Sequence, residues 1–142
     1  MRAKFQGAGG DVVAHYRVTV QGEPRRLHPI IRDEVYRVGR EAVVNAFRHA
    51  RARAVAVEIE YAARTLNVVV RDDGCGIAAE VLASSREGDC GLPGMRKRAA
   101  RIGARLRVRS HTGGGTEVEI TVPGSVAFQA PSNVPDRPET SE

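Results

Sequence analysis

The sequence contains no tryptophan and few aromatic residues of any kind, which limits how its interior can be filled. Phe and Tyr together make up 4% of the 142 residues, whereas hydrophobic residues as a class make up 42%. A core of this composition is built from Val, Ala, Ile and Leu, which suits a sheet packed against helices. At this length the chain can bury one core without disulfides or metal clips, so we expect a single domain.

Cysteine is scarce as well. The two cysteines, Cys75 and Cys90, form no CxxC motif and have no paired histidines at ligand spacing, so a structural zinc site has no support. We interpret them as free thiols in a reducing compartment.

Long apolar runs are absent. No stretch approaches the roughly 18 apolar residues that a bilayer-spanning helix requires. The positive start from Met1 to Lys4 is not followed by an apolar run, so we expect no secretion signal in this segment. We therefore expect a soluble, cytoplasmic piece, which can still be the cytoplasmic part of a membrane-anchored sensor.

The formal net charge is +5, and nearly all of the 22 basic residues are arginines. Such a balance is compatible with a nucleic acid, an anionic membrane surface or a phosphate-bearing ligand. The arginines are spread along the chain and are not interleaved with aromatic residues, so we expect no nucleic-acid partner. Salt-dependent retention on DNA would reveal the alternative.

Periodicity predicts first a strand and then a long helix. The segment from Val12 to Val20 alternates loosely and precedes a turn at Gly22 to Pro24, which is typical of an edge strand. A helix is predicted from Pro29 to about His49 or Ala50, because Pro suits a first turn and apolar residues recur at helical spacing. The apolar stripe consists of Ile31, Val35, Val38, Ala42 and Ala46.

Two hairpins follow, and in each a polar residue lies at one end of an apolar row. In the first, residues 54–61 and 66–72 are joined by a short link, and Leu66, Val68, Val70 and Asp72 share one face. In the second, residues 105–109 and 116–122 flank three glycines, and Thr116 heads the row.

The remaining segments complete a two-layer arrangement. Residues 77–90 are small and polar and predict a loop or lid, and residues 95–102 predict a helix that ends at Gly103. We expect the domain to occupy residues 1–124, with the functional motifs in 30–123, and a flexible tail in 125–142. The order of elements indicates an α+β fold with helices on one face of one sheet, and the short turns argue against a doubly wound parallel sheet.

One edge of the predicted helix carries Glu41, Asn45, Arg48 and His49, beside the apolar stripe. These side chains can polarise a nucleophile, ligate Mg²⁺ and hold phosphate oxygens. The plainer alternative is a polar helix edge.

Asp72 lies in phase with the buried row of its strand, where an unpartnered carboxylate would be costly. It therefore needs a donor, and the exocyclic amine of adenine is one. The glycines of Asp72-Asp73-Gly74-Cys75-Gly76 would let the backbone approach a planar ring closely. The alternative is an ordinary Asp-Gly turn.

Two further motifs fit a phosphate-bearing ligand. Gly91-Leu92-Pro93-Gly94-Met95 opens the last predicted helix, whose free amides favour a phosphate group, although an ordinary helix start is the alternative. The Thr116 hydroxyl can join Asp72 through water at the bottom of a pocket, although it can equally be a simple hairpin residue.

Together, these motifs resemble the N, G1 and G2 boxes of the GHKL ATPase superfamily. The pattern comprises Glu41-x-x-x-Asn45 with Arg48-His49-Ala50, then Asp72-x-Gly74-x-Gly76, then Gly91-Leu92-x-Gly94-Met95, then Gly115-Thr116. It is similar in particular to sensor histidine kinases with short ATP lids, the subgroup typified by nitrate sensors. The resemblance covers about Ile30 to Pro123.

The resemblance implies the Bergerat fold, a mixed sheet with helices on one face, with ATP and Mg²⁺ as cofactors. By the same resemblance Glu41 would be the catalytic acid or base, Asn45 would coordinate Mg²⁺, and Asp72 would bond the adenine amine. Gly91 and Gly94 would hinge a lid. The implied ATP-binding set is Asn45, Arg48, His49, Asp72, Gly74, Gly76, Ile77, Gly91, Leu92, Gly94, Met95 and Thr116.

The resemblance also implies partners. The family's acceptor histidine is typically followed by an acidic residue, whereas His15, His28, His49 and His111 are followed by Tyr, Pro, Ala and Thr. We therefore expect the acceptor on dimerisation helices upstream in a longer, homodimeric protein, with a response regulator as the next partner. An F box is not evident, and the short-lid subgroup commonly lacks one.

Two other functions remain open at this stage. One is an anti-sigma-factor serine kinase of the same superfamily, which the Gly-Leu-x-Gly-Met box disfavours. The other is a non-catalytic module in which ATP only changes a docking surface, which the presence of Glu41 disfavours.

Overall fold

The computed structural model of the chain describes residues 2–7, 10–77, 91–110 and 113–130, with side chains from residue 15 onward. Its elements are β1 (Arg2–Gly7), β2 (Gly10–Gln21), α1 (Pro29–Arg48), β3 (Ala54–Tyr61), β4 (Thr65–Asp72), α2 (Leu92–Arg101), β5 (Arg105–Ser110), β6 (Thr116–Pro123) and α3 (Gly124–Ala127). In these ranges, none of the helices combines the length and apolarity that a membrane crossing requires.

The six strands form one mixed sheet in the order β1-β2-β3-β4-β6-β5. Strands β2 and β3 are parallel and every other neighbouring pair is antiparallel. Helix α1 supplies the long crossover that a parallel pair needs. The predicted α+β class with a mixed sheet is confirmed.

Strand β2 is not the edge strand that the sequence predicts. It pairs with β1 on one side and β3 on the other, so β1 is the edge. The segment Arg2–Gly7 contains Phe5 as its one large apolar residue, so its sequence has no alternation to reveal a strand.

Helix α1 places its apolar stripe on the sheet as predicted. All five stripe residues are buried, and the helix packs on β4 and β6. It ends at Arg48, one residue before the predicted limit, where the His49 amide donates to the Asn45 carbonyl oxygen at 2.9 Å. The polar edge of the helix is thereby held beside the core.

The first hairpin has the predicted faces. Val57 pairs with Val70 and Ile59 with Val68, so both apolar rows point towards the helices. On its other side β4 pairs with β6, and Asp72 lies directly opposite Thr116. The polar ends of the two apolar rows therefore meet at one corner of the sheet.

The face of the sheet away from the helices carries a charged network. Arg71 lies 2.6 Å from both Glu58 and Glu117, and Glu117 also lies 3.5 Å from Arg109. These contacts cross β3, β4, β6 and β5, and the paired side chains remain partly exposed, as the two-layer prediction requires for the face without helices.

Helix α2 begins three residues before the predicted start. Pro93 lies in its first turn, where the missing amide is no loss, and Gly91 precedes the helix with φ +67°. The C-terminal end agrees with the prediction, because Gly103 has φ +70°. The earlier start brings Leu92 into the core, where it is fully buried.

The ordered chain continues past the predicted boundary at residue 124. Residues Gly124–Ala127 form α3, and Phe128 is buried and pairs with Leu27 in an isolated bridge. A flexible tail from residue 125 is therefore wrong for this stretch, because Ala127 and Phe128 supply apolar surface that the composition of the tail as a whole conceals. Residues 131–142 lie outside the described residues, and the tail there stays a prediction.

Candidate functional site

A cleft of about 130 Å³ lies between α1 and the corner of the sheet where β4 ends and β6 begins. Its walls are mostly apolar, and four polar side chains converge on it: Asn45, His49, Asp72 and Thr116. The apolar lining consists of Ala42, Ala46, Ala50, Val70, Ile77, Leu92 and Val118, together with Gly76. Such a combination is typical of a small-molecule site.

Asp72 is half-buried at the end of β4. Its Oδ1 accepts a hydrogen bond from the Gly74 amide at 2.7 Å, and the carboxylate also accepts from the Thr116 backbone. Burial raises the pKa of Asp72 above its usual range, and the two backbone donors oppose that rise only in part. Asp72 thus lies in the buried row of its strand as predicted, but backbone amides already donate to its carboxylate, one of them in the Asp-Gly turn, and the adenine amine as a donor stays a prediction.

The turn after β4 is held by Asp73 and by the close packing of Gly74. Asp73 Oδ1 accepts from the amides of Arg53 at 2.8 Å and Ala54 at 3.0 Å. A Cβ at Gly74 would lie 2.6 Å from the Ala50 Cβ. The reason for glycine here thus differs from the predicted approach to a planar ring, because the neighbour of Gly74 is the end of α1.

Thr116 is 7% exposed and contacts Ser110, a residue that belongs to none of the sequence motifs. Ser110 Oγ lies 2.8 Å from Thr116 Oγ1, accepts from the Ile77 amide at 2.6 Å and lies 3.2 Å from the Gly115 carbonyl oxygen. A serine at the end of a strand has no distinctive spacing, so only the pairing of β5 with β6 shows its place behind the cleft.

Of the residues on the predicted polar edge of α1, some line the cleft and one faces solvent. Asn45 is 8% exposed and lines the cleft, and His49 lines it from the end of the helix. Arg48 is exposed and lines neither this cleft nor the adjacent one. Its expected approach to a phosphate is therefore not seen in this structure.

Glu41 lies in a second cleft, one helical turn from Asn45. This cleft has a volume of about 710 Å³ and is lined by Glu41, Gly91, Gly94 and Met95, together with Asp33, Tyr36, Arg37, Arg40 and Arg98. Gly91 faces this second cleft, whereas the next residue, Leu92, lines the first. The two clefts therefore adjoin at the start of α2.

The structure thus brings together most of the predicted residues in two adjoining clefts, with Gly74 behind the first. The predicted lid in 77–90 lies outside the described residues except for Ile77. Sequence motifs did not identify the alanines and valines that floor the first cleft, although Ala42 and Ala46 belong to the predicted apolar stripe. Cys75 is a free, exposed thiol.

Comparison with known proteins agrees with this geometry. A family model described as histidine kinase-, DNA gyrase B- and HSP90-like ATPase matches residues 30–126. The chain is 27% identical over 117 residues to the signal transduction histidine-protein kinase/phosphatase DegS of Bacillus subtilis, covering 82% of this chain and 30% of DegS. It is 34% identical over 84 residues to the nitrate/nitrite sensor protein NarX of Escherichia coli, covering 59% of this chain and 14% of NarX. The chain spans less than a third of the length of these curated relatives.

Solved structures show the same arrangement. The blue-light activated histidine kinase of Erythrobacter litoralis superposes with a TM-score of 0.60 at 27% identity, covering 78% of this chain and 36% of that chain. The catalytic domain of the histidine kinase ThkA superposes with a TM-score of 0.61 at 18% identity, covering 78% of each chain, and that likeness concerns the fold alone.

Proposed function

The chain belongs to the family of histidine kinase-, DNA gyrase B- and HSP90-like ATPases, and on this premise we propose that it is the Mg²⁺–ATP-binding catalytic domain of a two-component sensor histidine kinase. The γ-phosphoryl group passes to a histidine on a separate dimerisation region and then to a response regulator. One observation carries the proposal: Asp72 on the sheet and Asn45 on α1 line the same cleft, one helical turn from Glu41.

The cleft suits a purine base. Val70 and Val118 on the sheet and Ala46 on α1 offer apolar surface to the faces of a planar ring. Asp72 is an acceptor when ionised, and it can accept a hydrogen bond from an exocyclic amine at the edge of that ring. An adenine nucleotide is thereby oriented with its phosphates towards Asn45 and the start of α2.

The phosphate end of the proposed site lies where the two clefts adjoin. The first amides of α2 have no partner within the helix, so they can donate to phosphate oxygens. His49, at the edge of the cleft, adds a further nitrogen donor when its tautomer permits.

The residues present fit a magnesium ion held chiefly by the nucleotide. The described residues contain no cluster of three or more His, Cys, Asp or Glu side chains that could hold a metal, whereas Asn45 offers a buried amide in the cleft. Mg²⁺ commonly takes one or two protein oxygens and fills its remaining positions with phosphate and water. When bound, the ion neutralises charge that develops on the transferring phosphoryl group.

In the proposed transfer, an imidazole nitrogen attacks the γ-phosphorus while the bond from that phosphorus to the β,γ-bridging oxygen breaks and ADP leaves. Glu41 accepts the proton that the imidazole loses. Its position in the open cleft beside Gly91 leaves room for an acceptor side chain from another segment. The domain alone is therefore expected to bind ATP and to show little autophosphorylation.

Nucleotide titration with Asp72→Asn tests the pocket. Loss of a charged acceptor is worth about 2 kcal/mol, so the variant should bind ADP about thirtyfold more weakly. Glu60→Gln is the matched control, because Glu60 is exposed on β3 and lines neither cleft. Equal affinities for Asp72→Asn and the unmodified domain would contradict the pocket.

A second experiment tests the chemistry. The domain is incubated with labelled ATP and the full-length kinase carrying Glu41→Gln, and the labelled product is treated with acid or base. Phosphohistidine is lost in acid, whereas phosphoserine survives it. An acid-stable product would favour the serine kinase, and full phosphotransfer with Glu41→Gln in both components would favour a non-catalytic ATP-sensing module.

A further inference from the structure

We propose that Ser110 fixes the direction of the Thr116 hydroxyl, so that the floor of the cleft only accepts hydrogen bonds and selects a 6-amino purine over a 6-oxo purine. This inference deepens the proposed function and rests on it, because it concerns the base bound in the same cleft. Ser110 does not itself line the cleft. It is a positioning residue that acts through Thr116.

The Ser110 hydroxyl contacts three groups at once. The Ile77 amide donates to it at 2.6 Å, the Gly115 carbonyl oxygen lies at 3.2 Å, and Thr116 Oγ1 lies at 2.8 Å. The Ile77 amide has only a proton to give, and the Gly115 carbonyl has only lone pairs. The third contact joins two hydroxyls, either of which can be the donor.

Counting protons and lone pairs decides the third contact. A serine hydroxyl has one proton and two lone pairs. The Gly115 carbonyl can only accept, so the Ser110 hydroxyl donates its one proton to it. One lone pair of Ser110 is used by Ile77, and the other receives the Thr116 proton. All three contacts are then hydrogen bonds, and Thr116 Oγ1 presents only lone pairs to the cleft.

An acceptor-only floor distinguishes purines at position 6. Asp72 and Thr116 lie opposite each other on β4 and β6, so their oxygens face the same ring edge. A 6-amino group can donate to both oxygens. A 6-oxo purine can offer N1–H to Asp72, but its O6 then meets an oxygen whose proton is engaged with Ser110. The buried mismatch disfavours the 6-oxo base.

The experiment compares Mg²⁺–ADP with Mg²⁺–IDP, which differ in the base only at the 6-amino and 6-oxo edge. Binding of each is measured by calorimetry for the unmodified protein, Ser110→Ala, Ser110→Thr and the double variant Ser110→Ala with Thr116→Val. In Ser110→Ala the Thr116 proton is free to reach O6, so IDP should bind more tightly and the preference for ADP should fall about tenfold. Ser110→Thr keeps the hydroxyl and should keep the preference.

The double variant shows whether the effect passes through Thr116. It has no hydroxyl to donate to O6, so it should lose the gain in IDP affinity. Ser110→Cys replaces the hydroxyl with a poor hydrogen-bonding group and serves in place of Ser110→Ala if the latter does not fold.

The binding data distinguish a failure of the inference about Ser110 from a failure of the proposed function. If Ser110→Ala weakened both nucleotides by the same factor, Ser110 would be a structural residue only and the inference would be overturned. If the unmodified protein bound neither nucleotide, the proposed function would fail instead, so the two failures are distinguishable.

Discussion

Gly91 lies directly against the side chain of Glu41. A Cβ at Gly91 would lie 2.8 Å from Glu41 Cδ and 2.9 Å from Glu41 Cγ, distances that real side chains do not tolerate. The backbone of Gly91 also has φ +67°, a conformation that L residues rarely adopt. The residue that precedes α2 therefore fixes the space available to the proposed catalytic carboxylate.

We predict that Gly91→Ala lowers phosphotransfer far more than nucleotide affinity. The added methyl group displaces Glu41, and a misplacement of about 1 Å can cost about 100-fold in rate. The Asp72 side of the cleft is untouched, whereas the proposed phosphate contacts at the start of α2 shift with residue 91, so the Kd for ADP should rise by less than about tenfold, well short of the loss in rate. The rate of acceptor phosphorylation checks the loss of phosphotransfer, and ADP titration checks the change in Kd.

Gly39→Ala is the control for that substitution, since a Cβ at Gly39 meets nothing within 4 Å and the residue lies inside α1. It should raise the free energy of unfolding by about 0.5–1 kcal/mol through helix propensity, with phosphotransfer intact. A loss of ADP affinity in Gly91→Ala as large as the loss of rate would contradict the prediction that Gly91 affects phosphotransfer more than nucleotide binding.

We predict that protonation of Asp72 on acidification has opposite effects on the stability of the folded protein and on its affinity for ADP. Burial raises the pKa of the folded-state carboxyl, so its ionised form destabilises the folded protein above that pKa, and acidification through the raised pKa removes the destabilisation. Asp72→Asn, neutral at every pH, should therefore be at least as stable as the unmodified protein at neutral pH. The difference should vanish below the usual carboxyl pKa.

Affinity for ADP should move the other way. Protonation removes the negative charge that strengthens the hydrogen bond from the base, so ADP binding by the unmodified protein should weaken on acidification at a higher pH than an exposed carboxylate would give. Urea titrations and ADP titrations between about pH 4 and pH 8 check both trends. Lower stability of Asp72→Asn at neutral pH would show that the carboxylate stabilises the fold instead.

We predict that Phe128→Ala destabilises the domain by about 3 kcal/mol. The ring is 5% exposed, stacks on Tyr61 with centroids 6.4 Å apart, and lies 4.0 Å beneath the Arg25 guanidinium carbon. Val126→Ala in the same segment should cost well under 1 kcal/mol, because Val126 is 36% exposed. Thermal unfolding of both variants compares them, and equal costs would mean that Phe128 contributes little to the core.

We predict that Arg71→Ala costs about 1 kcal/mol and that the cost shrinks in high salt. Arg71 joins Glu58 and Glu117 at 2.6 Å each, and these contacts raise its pKa, but the side chains are partly solvated and the pairs are screened. Arg105→Ala on β5 is the control, because Arg105 has no ion pair among the described residues. A cost in Arg71→Ala that is independent of salt would indicate lost packing over Val69.

Much of the fold follows from periodicity. The stripe from Ile31 to Ala46 and the alternation around Val68 locate α1 and the central strands, because burial of one face leaves a clear period in the sequence. The same phase places Asp72 at the end of a buried row. A polar residue such as Asp72 is predictable because it stands in a row that is otherwise apolar.

Other features leave no such trace. Strand β1 has almost no apolar residues, and Phe128 lies in a segment whose overall composition is that of a tail. Ser110 acquires its partners only when β5 pairs with β6, and Arg48 is exposed although Asn45 and His49 of the same predicted helix edge line the cleft. Long-range pairing and the direction of single side chains decide these cases, and neither is encoded in local spacing.

Helix α1 is fastened at both ends. At its start, Leu27 pairs with Phe128 and the His28 amide donates to the Ala127 carbonyl oxygen at 3.0 Å. At its end, Ala50 packs on Gly74 and accepts from the Cys75 amide at 2.9 Å. A helix held at both ends cannot slide along the sheet, so we expect Glu41 and Asn45 to keep a constant position relative to Asp72 on β4 when a nucleotide binds, and any adjustment to occur on the α2 side of the clefts.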